Sequence, residues 1–286
     1  MLLTNYGPFH YDLIHHGIEY AAEHTASLGF NAVEFLGGFP PQIPAFEDLG
    51  EAERVAEVLK SYGLKTACFS AGVSLYGANT AEVEKALCRY AEIAAIVGAP
   101  FLHHTVYLTL ELAPDSPSYE HVFASTIDSV ERVARHAASL GVTCIYEPQG
   151  MYFNGIQGLA PLVKEMKARV GKVGVCGDVG NPLYADADPV GIFEHFSTDI
   201  LHVHVKDYFY RKGVVQENGW KPSRGGNSLM QTELGMGDID LAGCLRALRE
   251  AEYHGAYAFE IPGGNDDMTR RAVESFKSIY CSVFGV

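Results

Sequence analysis

Apolar runs of strand length alternate with longer helical stretches along the whole chain. The runs begin near Leu2, Asn31, Leu64, Pro100, Val142, Lys172, Ile200 and Ala256. Helical stretches follow them near 11–28, 47–61, 79–97, 117–140, 156–169, 189–197, 239–251 and 267–282. Several helices end on one signature: an apolar residue, then Gly, then a strand. Leu28-Gly29, Tyr62-Gly63, Val97-Gly98 and Leu140-Gly141 are the cases, and glycine there supplies the left-handed residue that stops a helix. Asn79-Thr80-Ala81-Glu82 reads as a capping box. Strand–helix alternation predicts parallel pairing through right-handed crossovers. Eight such units predict an α/β fold, one (β/α)8 TIM barrel over residues 1–286 with no linker. No Gly-x-Gly-x-x-Gly follows the first strand, which argues against an open dinucleotide-binding sheet. Gly235-Met236-Gly237-Asp238 reads as a turn followed by a helix N-cap.

One connection breaks the rhythm. About thirty residues, Asp207 to Gly237, separate the seventh strand from its helix, and barrel loops are usually far shorter. This rim loop holds Trp220, the only tryptophan, with Tyr208, Phe209, Tyr210, Arg211, Lys212, Lys221 and Arg224. Its aromatic and basic content predicts a segment that covers substrate or meets another subunit. A second insert, Phe39-Pro40-Pro41-Gln42-Ile43-Pro44, follows the second strand on the same rim.

Composition narrows the function classes. Hydrophobic residues make up 48% of the chain and charged residues 20%, so a large core is available. The formal charge of −14 argues against nucleic-acid phosphates or an anionic membrane as partner. The six cysteines form no Cys-x-x-Cys pair; Cys68, Cys144 and Cys176 read as small buried thiols. That usage and the lack of a leader-like N-terminus or membrane-length apolar run point to a cytoplasmic protein.

The candidate chemistry sits at strand ends. Glu147, Asp178, His204 and Glu260 each close an apolar run, after Ile145-Tyr146, Cys176-Gly177, His202-Val203 and Ala258-Phe259. Three carboxylates and an imidazole suit one divalent cation, and unpaired they would repel one another. Alternation along the strands puts His202, His204 and Lys206 on one face and Val203 and Val205 on the other.

The runs Tyr146-Glu147-Pro148, Gly177-Asp178-Val179-Gly180-Asn181, His202-Val203-His204-Val205-Lys206-Asp207 and Phe259-Glu260 resemble the xylose-isomerase-like barrel superfamily. That group holds ketose 3-epimerases, inosose-type isomerases, inosose dehydratases and apurinic-site endonucleases. The resemblance covers essentially the whole chain. It implies that Glu147, Asp178, His204 and Glu260 bind one divalent ion, manganese, magnesium, cobalt or zinc. It implies further that Glu147 and Glu260 are bases facing each other across a substrate. One removes a proton beside a carbonyl and the other returns it; a cation stabilises the enediolate between. Two departures stand out. Asn181 replaces a histidine three residues after Asp178, and Tyr210, followed by Arg211, stands where ketose 3-epimerases have arginine. The extra ligands of the endonucleases are missing at Phe69-Ser70-Ala71-Gly72 and at Asn181.

Substrate contacts are expected from Lys206, Asn181, His103, His104, Glu34, Arg211 and Trp220. One of His103 and His104 points inward, and alternation does not say which. The leading expectation is a metal-dependent isomerase or epimerase of a sugar, keto-sugar or cyclitol. The alternative is β-elimination from an inosose or 3-keto-glycoside by a lyase on the same platform. A non-enzymatic sugar-binding barrel is the third reading. The expected partner is a small sugar or polyol-derived molecule, with a dimer or tetramer compatible with all three.

Overall fold

Eight parallel strands hydrogen-bond in a closed ring, β1-β8-β7-β6-β5-β4-β3-β2, in the computed structural model. The strands are β1 Leu2–Asn5, β2 Ala32–Gly37, β3 Lys65–Ala71, β4 Phe101–His104, β5 Thr143–Tyr146, β6 Gly174–Asp178, β7 Ile200–Val205 and β8 Ala256–Phe259. Residues 1–37 and 49–286 are described; the expected insert over Phe39–Pro44 lies outside them. Helices α1 Gly7–His16, α2 Ile18–Ser27, α3 Leu49–Ser61, α4 Thr80–Ile96, α5 Tyr119–Ser139, α6 Gly155–Val170, α7 Pro189–His195, α8 Leu241–Glu250 and α9 Asp266–Phe284 surround the barrel. Each strand is followed by its helix or helix pair, as the alternation predicts. Among the described residues, no helix is long and apolar enough to cross a membrane.

Most boundaries fall where the apolar runs place them, and the departures have local causes. The expected helix over 11–28 is two helices, because Gly17 takes φ +84 between them. The helix-stopping glycines behave as read: Gly29, Gly63, Gly98 and Gly141 have φ of +83, +70, +75 and +79. Asn79 makes no side-chain cap; instead the Thr80 hydroxyl donates to the carbonyls of Leu75 and Gly77. The N-cap after Gly237 is Asp240, which accepts from Gly243 N at 2.7 Å, and not Asp238.

The barrel interior is layered. Ala32, Ala67 and Ala256 fill its N-terminal end, and Cys68, Ile145 and Cys176 form the next layer. Two register shifts set what comes above. Glu34 pairs with Cys68 while Val33 pairs with Thr66, so Ala67 is an extra residue. Cys176 pairs with His202 while Val175 pairs with Ile200, so Leu201 is extra. Such bulges re-aim side chains: Leu201 packs on the Cys68 layer, yet His202, the next residue, also turns inward, to Glu34. The outward faces, including Val203, Val205 and Phe259, join one continuous core with the helices.

The long rim loop is ordered. Strands Asp207–Arg211, Lys221–Pro222 and Ser228–Thr232 form a small antiparallel sheet with the last in the middle. Buried Asp207 closes its base by accepting from the backbone N–H of Tyr208, Gly235 and Gly237, each at 2.9 Å. A Cβ at Gly237 would lie 2.1 Å from Asp207 Oδ1, so this position requires glycine. Asp186 holds the other end to the barrel. Its carboxylate accepts from Ser223 Oγ at 2.6 Å, Asn227 Nδ2 at 2.7 Å and Tyr210 Oη at 3.2 Å, and from Gly225 N. Asp186 adopts φ +54 to do so, a conformation uncommon outside glycine.

Asp186→Ala should therefore free the insert without unfolding the barrel. Each lost hydrogen bond contributes about 0.5–1.5 kcal/mol net, so local opening should rise by at least roughly tenfold. Trypsin cleavage at Arg211, Lys212 or Arg224 should quicken accordingly, with little change in melting temperature. Unchanged cleavage would mean that Asp186 does not hold the insert.

Candidate metal centre

The C-terminal ends of β5, β6, β7 and β8 deliver their polar residues to one point. One ligand atom from each of Glu147, Asp178, His204 and Glu260 lies within 4.8 Å of all the others. His204 Nδ1 is 2.7 Å from Glu147 Oε1, 3.3 Å from Glu260 Oε2 and 3.8 Å from Asp178 Oδ2. Asp178 is fixed by the turn after β6: its Oδ1 accepts from Gly180 N at 2.7 Å and Asn181 N at 2.6 Å. Its Oδ2 is buried without a hydrogen bond and faces the cluster. Lys206 Nζ stands 2.9 Å from that oxygen and 2.6 Å from Glu260 Oε2.

The residues fit a divalent cation. Three hard carboxylate oxygens and one imidazole nitrogen converge, and Asp178 Oδ2 is a buried acceptor turned toward them with only the Lys206 ammonium beside it. Glu147, Asp178 and His204 are buried, whereas the Glu260 side chain is 35% exposed. The site is thus open on the β8 side.

The protein's own charges treat the two glutamates oppositely. Burial, with Asp178 and Glu260 adding to it against the pull of His204, pushes Glu147 up to about 8. Burial acts the same way on Glu260, but Lys206 and His204 outweigh it and hold it at about 2. Burial opposes charge on Lys206, and Asp178 and Glu260 still raise it well above the usual lysine range.

The structure sorts the expected substrate contacts. His103 is the inward histidine: its Nε2 lies 3.5 Å from Glu147 Oε2 and its Nδ1 2.9 Å from Ser70 Oγ. His104 faces the helix layer, edge-on to Tyr146 at 5.3 Å, with Nδ1–H donated to Thr105 O. Asn181 accepts from Lys206 Nζ at 3.2 Å. Glu34 does not reach the open site: it is 0% exposed and lies beneath His204. Arg211 turns away to Asp238 at 2.7 Å and to the Phe209 ring at 5.8 Å. Half-buried Trp220 makes no bond or ring contact to the cluster among the described residues. Sequence reasoning missed Tyr6, whose ring centroid is 5.2 Å from that of His204. Its only signal is its place, one residue past β1. Ser70, which links His103 to Glu34, gave none beyond ending an apolar run.

A family model for the xylose isomerase-like TIM barrel matches residues 22–279. The chain belongs to this family. No curated protein matches it in sequence. Among solved structures, the xylose isomerase domain protein of Planctomyces limnophilus is 15% identical, with TM-score 0.77, over 100% of this chain and 99% of that one. A xylose isomerase-like TIM barrel protein of Mycobacterium smegmatis in complex with magnesium is 17% identical, with TM-score 0.75 and coverage of 99% and 97%. The 3-keto-D-glucoside 4-epimerase of E. coli, in its apo form, is 17% identical, with TM-score 0.72 and coverage of 97% and 98%. At such identities the likeness is one of fold, and these xylose isomerase-like barrels align with this one from end to end.

Cation binding in this family barrel should be strongly pH-dependent. Burial holds a proton on Glu147 up to about pH 8, and a ligating carboxylate must lose it. Affinity should fall as pH drops below 8, by about tenfold per unit for each proton released. Calorimetric titration of Mn²⁺ in buffers of differing ionisation enthalpy would count the protons. A pH-independent affinity between 6 and 8 would show that Glu147 is not a ligand.

Proposed function

We propose that the protein is a divalent-metal-dependent isomerase or epimerase of a sugar, keto-sugar or cyclitol. The observation that carries this reading is the convergence of Glu147, Asp178, His204 and Glu260 within 4.8 Å at the open end of the barrel. The four would hold a manganese, magnesium, cobalt or zinc ion. When bound, the ion supplies positive charge where negative charge grows on a carbonyl oxygen, which makes the adjacent carbon acidic. The fold likeness to a 3-keto-D-glucoside 4-epimerase supports a hydroxyl-rich substrate bearing a carbonyl.

The chain's own residues divide the remaining work. Glu260 is ionised and partly exposed, so it is the base that meets the substrate proton. Glu147 must give up the proton that burial retains when it ligates the ion, so we assign it as the second base, on the opposite face of the substrate carbon. Lys206 offsets the charge of Asp178 and Glu260. Asn181 Nδ2 and His103 Nε2 are buried polar atoms without a hydrogen-bond partner among the described residues, and we assign them to substrate hydroxyls. The unpaired cysteines fit the reducing, cytoplasmic setting of such an enzyme.

One observation favours a second reading. The Lys206 ammonium, 2.6 Å from Glu260, places an acid beside the base. β-Elimination from an inosose or 3-keto-glycoside needs that pairing for its leaving group.

Metal-loaded protein incubated in heavy water with ketoses, inososes and 3-keto-glycosides should exchange the proton on the carbon beside the carbonyl. NMR would locate that carbon, and a chelator should stop the exchange. Glu147→Gln and Glu260→Gln should each lose about 10²–10⁴-fold in turnover. One of them should still exchange the proton while failing to invert the centre. Loss of water or of an aglycone would establish the lyase instead. No reaction on any of these compounds would sink both readings.

A further inference from the structure

Glu34 is a charged residue at the centre of the barrel that no step of the proposed reaction uses. It is 0% exposed. A buried carboxylate is retained only when its oxygens are satisfied, and here both are. Oε1 is 2.9 Å from His204 Nε2 and also accepts from the Ser70 hydroxyl. Oε2 is 2.6 Å from His202 Nε2. The rings of His202 and His204 stand edge to face, 5.3 Å apart at 88°, so one carboxylate clamps two imidazoles from the same strand. Ser70 passes the contact on to His103 Nδ1 at 2.9 Å. His103 Nε2 returns to Glu147 Oε2 at 3.5 Å, and Glu147 Oε1 is 2.7 Å from His204 Nδ1. Glu34 and Ser70 thus lie beneath the cluster and link His103 to His204.

We propose that Glu34 is the positioning residue of the metal centre: by accepting the Nε2–H of His204 it dictates which imidazole nitrogen faces the cation. The proposal rests on the metal reading above. A neutral imidazole has one N–H and one lone pair. A carboxylate accepts only, so the nitrogen facing Glu34 must carry the proton. Nδ1, which faces Glu147, Asp178 and Glu260, is then the nitrogen at which a cation would take the place of a proton and meet a lone pair. The same bond fixes the ring plane and strengthens the imidazole as a donor. His202 on Oε2 and Ser70 on Oε1 keep the Glu34 head from rotating, which makes the choice of nitrogen single-valued. Glu34 sits opposite the register shift after Val33, and that shift brings its side chain under His204.

Two measurements on the full-length protein test this. In Zn²⁺-loaded protein with ¹⁵N-labelled histidine, long-range ¹H–¹⁵N spectra should show His204 protonated at Nε2 and shifted by metal at Nδ1. Co²⁺ titration, followed by visible absorption, should give about 10–100-fold weaker binding for Glu34→Gln, the usual effect of losing a carboxylate behind a ligating histidine. Glu34→Asp keeps the charge but withdraws it by one methylene, and should weaken Co²⁺ comparably. Circular dichroism and the melting curve establish that each variant is folded; if Glu34→Gln does not fold, the Zn²⁺-loaded wild-type spectrum decides alone. Wild-type Co²⁺ affinity in folded Glu34→Gln, or a proton found on Nδ1 of the loaded protein, would overturn the proposal and leave the metal reading standing. Wild-type protein that takes up no divalent cation would overturn both.

Discussion

Everything at the open end of this barrel answers one electrostatic problem. Glu34, Glu147, Asp178 and Glu260 are brought around a single imidazole, and three of the four are buried. Uncompensated carboxylates in such a place cost several kcal/mol each. Three basic side chains oppose them directly: His204, within reach of Glu34, Glu147 and Glu260, His202, on Glu34, and Lys206, between Asp178 and Glu260. Removing Lys206 would strand two acids, and removing Glu34 would strand two histidines. The polar groups therefore depend on one another more than on the apolar core beneath them.

The fold makes this concentration of charge tolerable by supplying fixed dipoles and geometry. A closed parallel barrel leaves no sheet edge and points every strand's C-terminal end at the same mouth. The turn after β6 donates two backbone N–H groups to Asp178, holding its other oxygen toward the centre. The insert between β7 and α8 is tied at both ends by aspartates, buried Asp207 and exposed Asp186. The same chemistry, a carboxylate collecting backbone N–H groups, thus fixes one side chain of the cluster in one place and a whole subsheet in another.

The strand–helix alternation and the four strand-end residues were legible because each is a local signal of order and spacing. What was not legible depends on register. Period-2 alternation says that one of His103 and His104 faces inward, but the choice is made by the pairing of β4 with β3 and β5. Glu34 interrupts an apolar run, between Val33 and Phe35, and sits mid-strand in β2. A register shift against β3 sinks it below the mouth. The insert read as a loop because its apolar positions are few, yet its strands pair across the base that Asp207 closes. Arg211 looked available to substrate only because its partner, Asp238, is 27 residues away in the chain.

The asymmetry between Glu147 and Glu260 follows from the same arrangement. Glu147 is enclosed by His103, His204 and Asp178 and is not ion-paired to Lys206, so burial dominates and favours its protonated form. Glu260 lies across His204, partly in solvent and against Lys206, so charge dominates and favours the carboxylate. Two identical side chains, related by position around one imidazole, acquire opposite preferences from what stands behind each. A cation placed among these residues would first have to displace the proton from Glu147, whereas Glu260 already offers a charged oxygen, so the two carboxylates differ in what each must give up to hold it.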